Sequence, residues 1–491
     1  MNYRMIISIL GIVLVLLGGF LLLPCIVALI YGEGDFIHLL ITAVISAALG
    51  LVMYLFRPKE EQRQLMHARE GFVMVALSWI LISLVGALPF YLNGAIPSYL
   101  DAVFETVSGF TTTGASILPN VEAMPHGLLL WRSFTHWIGG MGVLVFMLAV
   151  VPMSGESIYL LRAESPGPSV SKMVPKMRTS AAITYGIYIA MTVLLILLYQ
   201  LGRLCGWGNI SLFDSVCLSF GTAGTGGFAV RCDGLASYST YEQALTTVFM
   251  ILFGVNFSIY FFLICSKYKL AWQNSELKCY IAIILIAITL ITVNVVMAGG
   301  HFDSVGEAIH HVSFSVGSII TTTGYGTVDF AQWPEFSRTV LVILMIVGAC
   351  AGSTGGGMKV SRILILFKNQ ARELRRMIHP HAVEIITMDK KKVDKSAISG
   401  TTAFLSVYCL ILIVSVVLLS LDGFGTETSV TAVIATLNNI GPGTSAVVGP
   451  FGGFGSFSVL SKLVMIFDML CGRLELFPLL LLLRPSTWRK H

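Results

Sequence analysis

The sequence predicts an all-α integral membrane protein with ten transmembrane helices, arranged as an N-terminal hairpin followed by four similar repeats. Hydrophobic residues make up 55% of the 491 residues and charged residues only 12%, about half the charged share of a soluble protein. Ten apolar stretches reach the ~20 residues that cross a hydrocarbon core of ~30 Å. A short apolar segment ending in glycine also recurs four times. The composition excludes a disordered, fibrous or nucleic-acid-binding chain.

The ten stretches are distributed over the whole chain, at 5–31, 36–56, 71–94, 127–152, 181–202, 242–266, 279–299, 336–366, 397–421 and 456–483. Their orientation follows from Lys and Arg, which concentrate on cytoplasmic loops. If both termini are cytoplasmic, 25 of the 31 Lys and Arg lie on the inner side. The outer segments then carry fourteen carboxylates against five basic side chains. Such a face either attracts cations or is simply a solvated acidic surface.

The outer connections after the second stretch each hold an apolar segment that is too short to span a membrane. The four segments end in glycine and lie at 104–114, 216–226, 314–324 and 431–441. Each segment lies between two predicted spans. The pattern therefore predicts a hairpin over 1–60 and four pore repeats, with the third broken in its second helix, at 71–152, 181–266, 279–366 and 397–483.

The ends of these segments have the composition of an ion-selectivity filter. Glycine tolerates positive φ, and non-helical backbone at membrane depth must be buried or line a cavity. Four strands of carbonyl oxygens could then replace the hydration shell of a potassium ion. A single such turn is also an ordinary helix end, but four in matching positions favour a pseudo-fourfold ion pore. The residues predicted to bind potassium are Thr112, Thr113, Gly114, Thr225, Gly226, Thr322, Thr323, Gly324, Tyr325, Asn439, Ile440 and Gly441.

The third segment is the most specific of the four. Its residues 322–326 read TTGYG and differ from the potassium-channel signature TVGYG only at the second position. In the register of the segment ends, Ala115, Gly227 and Pro442 follow the other three glycines where Tyr325 follows Gly324. We therefore expect poorer cation selectivity than in a symmetric four-subunit channel.

The eighth stretch is interrupted by glycine. Five of the ten residues from 348 to 357 are glycine, and each costs up to ~1 kcal/mol in a helix. The alternatives are an unwound segment lining a cavity and close helix packing through small residues. Lys359, directly after it, either assists this segment or marks the cytoplasmic end of the span.

Arg473 lies deep in the last stretch. Ten residues separate it from Arg484, or ~15 Å of helix, which places it near the membrane midplane. An arginine there is a functional candidate that would raise the electrostatic barrier to a crossing cation. The alternative is a structural ion pair with Asp468, Glu475 or a carboxylate on another helix.

These features together resemble the Trk/Ktr potassium-transporter superfamily, and specifically its TrkH-like membrane subunits. The resemblance covers the whole chain, including the N-terminal hairpin that the shorter KtrB-like subunits usually lack. Two further motifs carry it: Trp131-Arg132 with residues 137–142 (WIGGMG), and residues 472–475 (GRLE). The family pattern leads us to expect glutamine where this chain has His136.

The resemblance implies potassium uptake through a gated, channel-like pore, in a multi-pass bacterial inner membrane protein that is not an enzyme and needs no cofactor. It places a mobile gate at Gly348, Gly352, Gly355, Gly356, Gly357 and Lys359, and a pore barrier at Arg473. It also implies a homodimer on a cytosolic, nucleotide-binding TrkA-like subunit, since this chain has no nucleotide-binding motif of its own.

Two interpretations remain open from the residues alone. The basic cytoplasmic segment 367–396 serves either anionic lipid contact or the regulatory partner. Transport is either channel-like and driven by the membrane potential or coupled to protons or sodium, a class that also uses broken helices. An intramembrane enzyme is excluded because the chain has no metalloprotease motif and no nucleophile–base pair.

Overall fold

We describe the protein from a computed structural model that covers residues 3–57, 68–142, 177–381 and 385–488. Within these ranges the chain is mostly helical, and its one β-element is a hairpin of two short antiparallel strands, β1 (Thr387–Met388) and β2 (Lys391–Lys392). The end of the predicted span 127–152 and most of the connection that follows it lie outside the described residues.

The first half of the described chain contains ten helices. They are α1 (Tyr3–Tyr31), α2 (Asp35–Leu55), α3 (Ala68–Gly86), α4 (Leu88–Asn93), α5 (Tyr99–Phe110), α6 (His126–Met141), α7 (Met177–Leu204), α8 (Leu212–Gly224), α9 (Thr240–Phe253) and α10 (Phe257–Ile264). The second half contains ten more, with 3₁₀ turns at Phe330–Gln332 and Ser420–Asp422. They are α11 (Tyr268–Trp272), α12 (Ser275–Ala298), α13 (Val305–Ile320), α14 (Glu335–Val347), α15 (Val360–Ile378), α16 (Lys395–Leu419), α17 (Thr426–Leu437), α18 (Val459–Arg473), α19 (Phe477–Leu483) and α20 (Pro485–Trp488).

Some of the ten predicted spans are single long helices in the structure, and others consist of two shorter helices. Among the described residues, six helical segments are long and apolar enough to cross a membrane: α1, α2, α3 with α4, α7, α12 and α16. The predicted span 242–266 is instead two helices, α9 and α10, bent by 92°. The predicted spans 336–366 and 456–483 are interrupted between α14 and α15 and between α18 and α19.

Four short helices, α5, α8, α13 and α17, precede the predicted glycine turns. They have 12 to 16 residues, or at most ~24 Å of length, so none spans the core. Ser98, Ser211 and Ser304 cap the first three by accepting a main-chain N–H three residues later, a pairing that serine at this position favours. All four helices are largely buried, which places their C-terminal ends inside the protein.

The N-terminal hairpin packs α1 against α2 through small residues. A Cβ on Gly18 would lie 2.8 Å from the Ala43 carbonyl oxygen, so glycine permits this approach. The hairpin also holds the start of α6, because Asp35 Oδ2 accepts the Leu128 N–H at 3.1 Å and a negative charge is stabilised at a helix N-terminus.

The basic segment 367–396 is more ordered than a loop. Helix α15 continues to Ile378 and carries Arg372, Arg375 and Arg376 on its last turns. The hairpin of β1 and β2 then presents exposed Lys391 and Lys392, while residues 382–384 lie outside the described ranges. Helix α15 therefore extends about three turns beyond residue 366, the predicted end of the eighth span.

Candidate ion pathway

The four short helices end with the same backbone geometry. Thr112, Thr225, Thr322 and Asn439 all have φ between 54° and 59°. The next residue then donates its N–H to the carbonyl five residues back, as in a Schellman helix end. The four bonds measure 2.8 to 2.9 Å and are Thr113 N to Ser108 O, Gly226 N to Gly221 O, Thr323 N to Ser318 O and Ile440 N to Ala435 O. We call residues 112–114, 225–227, 322–324 and 439–441 turns one to four.

This geometry corrects the sequence register of turn two by one residue. The glycines with φ near +80° to +100° are Gly114, Gly227, Gly324 and Gly441, so Gly227 and not Gly226 is equivalent to the other three. Gly226 occupies the position of Thr113, Thr323 and Ile440. Phe228, and not Gly227, therefore follows turn two as Tyr325 follows turn three.

The four turns meet in a closed ring. A Cβ on Gly114 would overlap the Gly226 carbonyl oxygen, and the same relation links turn two to turn three and turn three to turn four. The ring closes because a Cβ on Gly441 would lie 2.7 Å from Thr113 O. A cavity of about 160 Å³ is lined by all four glycines. Any side chain at these positions would be strained by its φ and would also collide with the neighbouring turn.

Turns one and three are supported by their own side chains. The Thr111 and Thr113 hydroxyls bond at 2.8 Å, and the Thr321 and Thr323 hydroxyls bond at 2.7 Å. The hydroxyls of Thr111 and Thr321 also donate to main-chain carbonyl oxygens one helical turn back. Each Thr-x-Thr unit thus ties its turn to its own short helix.

Turns two and four are instead tied to residues of other elements. Asn439 Nδ2 donates to Thr113 Oγ1 at 3.0 Å and to the Met469 carbonyl at 2.9 Å, so it ties turn four to turn one and to α18. At turn two, the imidazole of His136 on α6 lies against Gly226. Neither contact could be predicted from the sequence, since both join residues far apart in the chain.

The predicted glycine-rich segment, residues 348–359, is a non-helical loop between α14 and α15. Gly356 N–H donates to Thr322 Oγ1 at 2.6 Å, and Gly357 N–H donates to the Asn438 carbonyl at 3.1 Å. At its other end, Cys350 N–H donates to the Gly254 carbonyl at 3.1 Å, at the bend between α9 and α10. The loop therefore contacts turn three, the residue before turn four and the bend between α9 and α10.

Several positions of this loop require glycine, either because φ is positive or because another part of the chain approaches too closely for a Cβ. Gly348, Gly352 and Gly357 have φ near +70°, and a Cβ on Gly355 would lie 2.7 Å from the Thr321 carbonyl oxygen. Helix packing through small residues does not describe this segment, because it is not helical. The segment is therefore unwound, which was the other alternative.

Lys359 lies buried where the glycine-rich loop meets the start of α15. It is 1% exposed, has φ of 76° and turns its ammonium back to donate to the Gly355 carbonyl. Glu276 at the start of α12 holds the loop from the other side: its Oε1 accepts the N–H groups of Ala351 at 2.6 Å and Ser361 at 3.1 Å. One carboxylate oxygen thus joins the two ends of the loop.

Arg473 at the end of α18 binds main-chain oxygens. Its guanidinium donates to the carbonyls of Thr354 at 3.0 Å, Gly139 at 2.5 Å and Gly140 at 2.7 Å. The two carboxylates considered as its partners are engaged elsewhere: Glu475 pairs with Arg362 and Asp468 accepts from Ser415 Oγ at 2.8 Å. Arg473 therefore connects the glycine loop to α6.

The WIGGMG motif on α6 brings that helix close to two of the short helices. A Cβ on Gly139 would overlap the Phe110 carbonyl oxygen at the end of α5. A Cβ on Gly140 would lie 2.7 Å from Gly224 Cα at the end of α8. The glycines let α6 pass directly behind turns one and two.

Comparison with known proteins identifies the family. The family model for TrkH, described as a cation transport protein, matches residues 38–490. The chain belongs to the TrkH family. Its members transport cations, so this chain is a multi-pass membrane transport protein and the resemblance inferred from the motifs is confirmed. The Trk system potassium uptake protein TrkH of Salmonella typhimurium is 34% identical over the full length of both chains.

Two further relatives extend the similarity within the TrkH family. The Trk system potassium uptake protein TrkG of Escherichia coli is 31% identical, covering 95% of this chain and 94% of its own. The crystal structure of the potassium transporter TrkH from Vibrio parahaemolyticus matches with a TM-score of 0.87 at 32% identity and covers all of both chains. The whole fold, including the N-terminal hairpin, is thus that of a TrkH protein.

Proposed function

We propose that this protein takes up potassium through a channel-like pore whose selectivity filter is the ring of turns one to four. The observation that carries the proposal is the closure of that ring, since each glycine abuts a main-chain carbonyl oxygen of the next turn. Carbonyl oxygens arranged around an axis can replace the water around a bare potassium ion. The four pore repeats, the hairpin and ten membrane crossings, several of them broken, belong to this proposal.

The choice of potassium is supported by the relatives. The TrkH and TrkG relatives are potassium uptake proteins, and this chain keeps TTGYG in turn three. The membrane potential would drive entry with ~2.3 kcal/mol per charge per 100 mV. We place the chain in a bacterial inner membrane with both termini cytoplasmic, where the acidic outer segments would favour cation entry.

The glycine loop is the proposed gate. It is bonded to Thr322 and to the Asn438 carbonyl, directly next to turns three and four. Arg473 would add positive charge there and, through the Thr354 carbonyl, would hold the loop in place. Opening then requires that these bonds break together.

Regulation would come from other chains. The relatives belong to Trk systems, so we propose a homodimer controlled by a cytosolic, nucleotide-binding TrkA-like subunit. The exposed lysines of the β1–β2 hairpin and the arginines of α15 would contact that subunit or anionic lipid headgroups.

Flux into liposomes tests the proposal. Purified protein is reconstituted in vesicles that hold a potassium gradient and have neither a pH nor a sodium gradient, and rubidium uptake is measured. We expect uptake that follows the potassium gradient and is stopped when a potassium ionophore dissipates it. Absence of flux under these conditions, with flux restored by a proton or sodium gradient, would contradict the channel-like mechanism.

A second candidate function is proton- or sodium-coupled potassium transport. It is favoured by Asp468, a fully buried carboxylate on α18 whose Oδ2 has no hydrogen-bond partner among the described residues. Buried carboxylates in membrane segments are typical of proton relays. An Asp468→Asn variant that keeps rubidium flux but loses its response to a pH gradient would favour this candidate.

A further inference from the structure

The second turn lacks a side chain that the other turns possess. At the position before the ring glycine, turns one, three and four have Thr113, Thr323 and Ile440, and turn two has Gly226. A turn with two adjacent glycines loses more conformational entropy when it is ordered than its counterparts do. Something else must therefore hold turn two in the shared geometry.

The His136 side chain fills the space of that missing side chain. A Cβ on Gly226 would overlap the imidazole of His136. The side chain of His136 is fully buried although it projects from α6, which belongs to another part of the chain. Protein interiors pack with few voids. The absence of a side chain at Gly226 and the presence of the His136 imidazole there are therefore complementary.

Both ring nitrogens of His136 bind main chain next to the ring of turns. Nδ1 lies 2.7 Å from the Gly109 carbonyl oxygen of α5, so it carries the proton and donates. Nε2 lies 3.1 Å from the Phe228 main-chain nitrogen, so it accepts. The two partners fix one neutral tautomer, and the imidazole bridges the helix before turn one to the residue after turn two.

Further contacts lock the same position. The ring centroids of His136 and Phe228 are 4.1 Å apart, and the guanidinium of Arg132, also on α6, lies 3.5 Å from the Phe228 ring centroid. Arg132 also donates to the Ala229 carbonyl at 3.0 Å and pairs with buried Glu105 at 2.7 Å. The segment after turn two is thus fixed to the first repeat by several directional contacts.

We propose that His136 is a positioning residue that replaces the missing side chain of turn two and so sets the spacing between turns one and two. It contacts no ion; it acts through Gly226 and Phe228. The inference rests on the proposed function, because it assigns His136 control over the cation preference of the same ring. It also accounts for a histidine where the family pattern leads us to expect glutamine: a glutamine amide has both a donor and an acceptor.

A set of four variants tests the proposal by the ratio of rubidium to sodium flux in liposomes. His136→Ala removes two hydrogen bonds and the packed ring, and we expect the ratio to fall about tenfold. His136→Gln keeps a donor and an acceptor and should retain most of the ratio. Gly226→Thr should lower it as His136→Ala does, because the new side chain collides with the imidazole.

The double variant His136→Ala with Gly226→Thr is the decisive member of the set. It restores to turn two the side chain that turns one and three possess, and it removes the ring with which that side chain collides. We expect it to recover most of the selectivity that each single variant loses, a strong coupling in a double-mutant cycle. His38→Ala, which removes a histidine of α2 in the N-terminal hairpin, serves as the control and should leave the flux ratio unchanged.

The possible outcomes separate this inference from the proposed function. If the unchanged protein conducts without preferring rubidium over sodium, the proposed function fails, and the inference fails with it. If the unchanged protein is selective and a folded His136→Ala variant is equally selective, the inference alone is wrong.

Potassium-dependent thermal stabilisation gives a second readout: the unchanged protein and the double variant should be stabilised, and His136→Ala should not. Additive losses in the double variant would also overturn the inference.

Discussion

Turns one and three differ from turns two and four in how they hold the same backbone. In the odd turns, the middle threonine bonds at 2.7 to 2.8 Å to a second threonine two residues earlier in the chain. In the even turns, the corresponding residues are Gly226 and Ile440, which have no hydroxyl, and His136 and Asn439 supply the support instead. The four turns of one chain can therefore share nearly the same backbone geometry although their sequences differ. The even turns therefore depend on contacts that a search for sequence repeats cannot find.

We expect the largest losses of cation selectivity from substitutions of the four ring glycines, Gly114, Gly227, Gly324 and Gly441. The losses should be similar in odd and even turns. Gly324→Ser and Gly227→Ser both place a side chain at φ near +85°, which costs ~1–2 kcal/mol in strain alone, and both collide with a neighbouring carbonyl. We expect each to lower the potassium-over-sodium preference at least about tenfold, measured by competitive rubidium flux.

Gly317→Ala is the matched control for these variants. It adds a Cβ within α13, where the nearest atoms lie 3.5 Å away, so selectivity should not change. Unchanged selectivity in Gly324→Ser would remove that glycine from the filter. A loss in Gly324→Ser but not in Gly227→Ser would break the equivalence of odd and even turns.

The contacts of the glycine loop should affect flux more than selectivity. Arg473→Ala frees the Thr354, Gly139 and Gly140 carbonyls from the guanidinium and removes a positive charge. We expect rubidium flux to rise several-fold, with Arg484→Ala, an exposed arginine, as the control. A fall in flux in a variant that folds normally would show that Arg473 stabilises the structure of the pathway and is not an electrostatic barrier to cations.

Substitutions that remove the hydrogen bonds supporting turns three and four should have intermediate effects on selectivity. Thr323→Val removes the hydroxyl pair with Thr321, and Asn439→Leu removes the bonds to Thr113 and Met469. One lost hydrogen bond costs ~1 kcal/mol, so we expect the asparagine change to reduce the rubidium-to-sodium ratio more than the threonine change. Thr289→Val, on the exposed face of α12, is the control, and equal effects of all three would contradict the assignment of support.

The smallest effect is expected at Glu276. Glu276→Gln keeps an oxygen that can accept the Ala351 and Ser361 N–H groups but weakens both bonds, since charged acceptors bind about twice as strongly. Flux should rise less than in Arg473→Ala, and Glu276→Ala should raise it further. No difference between the glutamine and alanine variants would show that Glu276 does not hold the loop.

Much of this arrangement can be predicted from the sequence, for local reasons. Apolar length and serine caps locate the short helices, and the pattern of threonine or asparagine, any residue, then glycine locates turns one, three and four. The same pattern, applied to Thr225-Gly226-Gly227, finds the true register of turn two. Two adjacent glycines give no other local reason to choose between them.

The long-range contacts could not be predicted in the same way. The bend after α9 has a signal in Asn256, which caps α10 by accepting the Ser258 N–H, but its 92° angle depends on packing. The partners of Arg473 lie more than one hundred residues away in sequence and are main-chain oxygens, which have no residue-type signature. Several outer carboxylates also act as helix caps and ion-pair partners, as Asp35 and Glu105 do.

The position of bound ions tests the central claim most directly. Crystals of the protein grown with rubidium or thallium would reveal these ions by anomalous scattering. We predict density on the axis enclosed by turns one to four, within contact distance of the carbonyl oxygens of Thr113, Gly226, Thr323 and Ile440. Density that lies elsewhere, with none inside the ring at saturating ion concentration, would contradict the account.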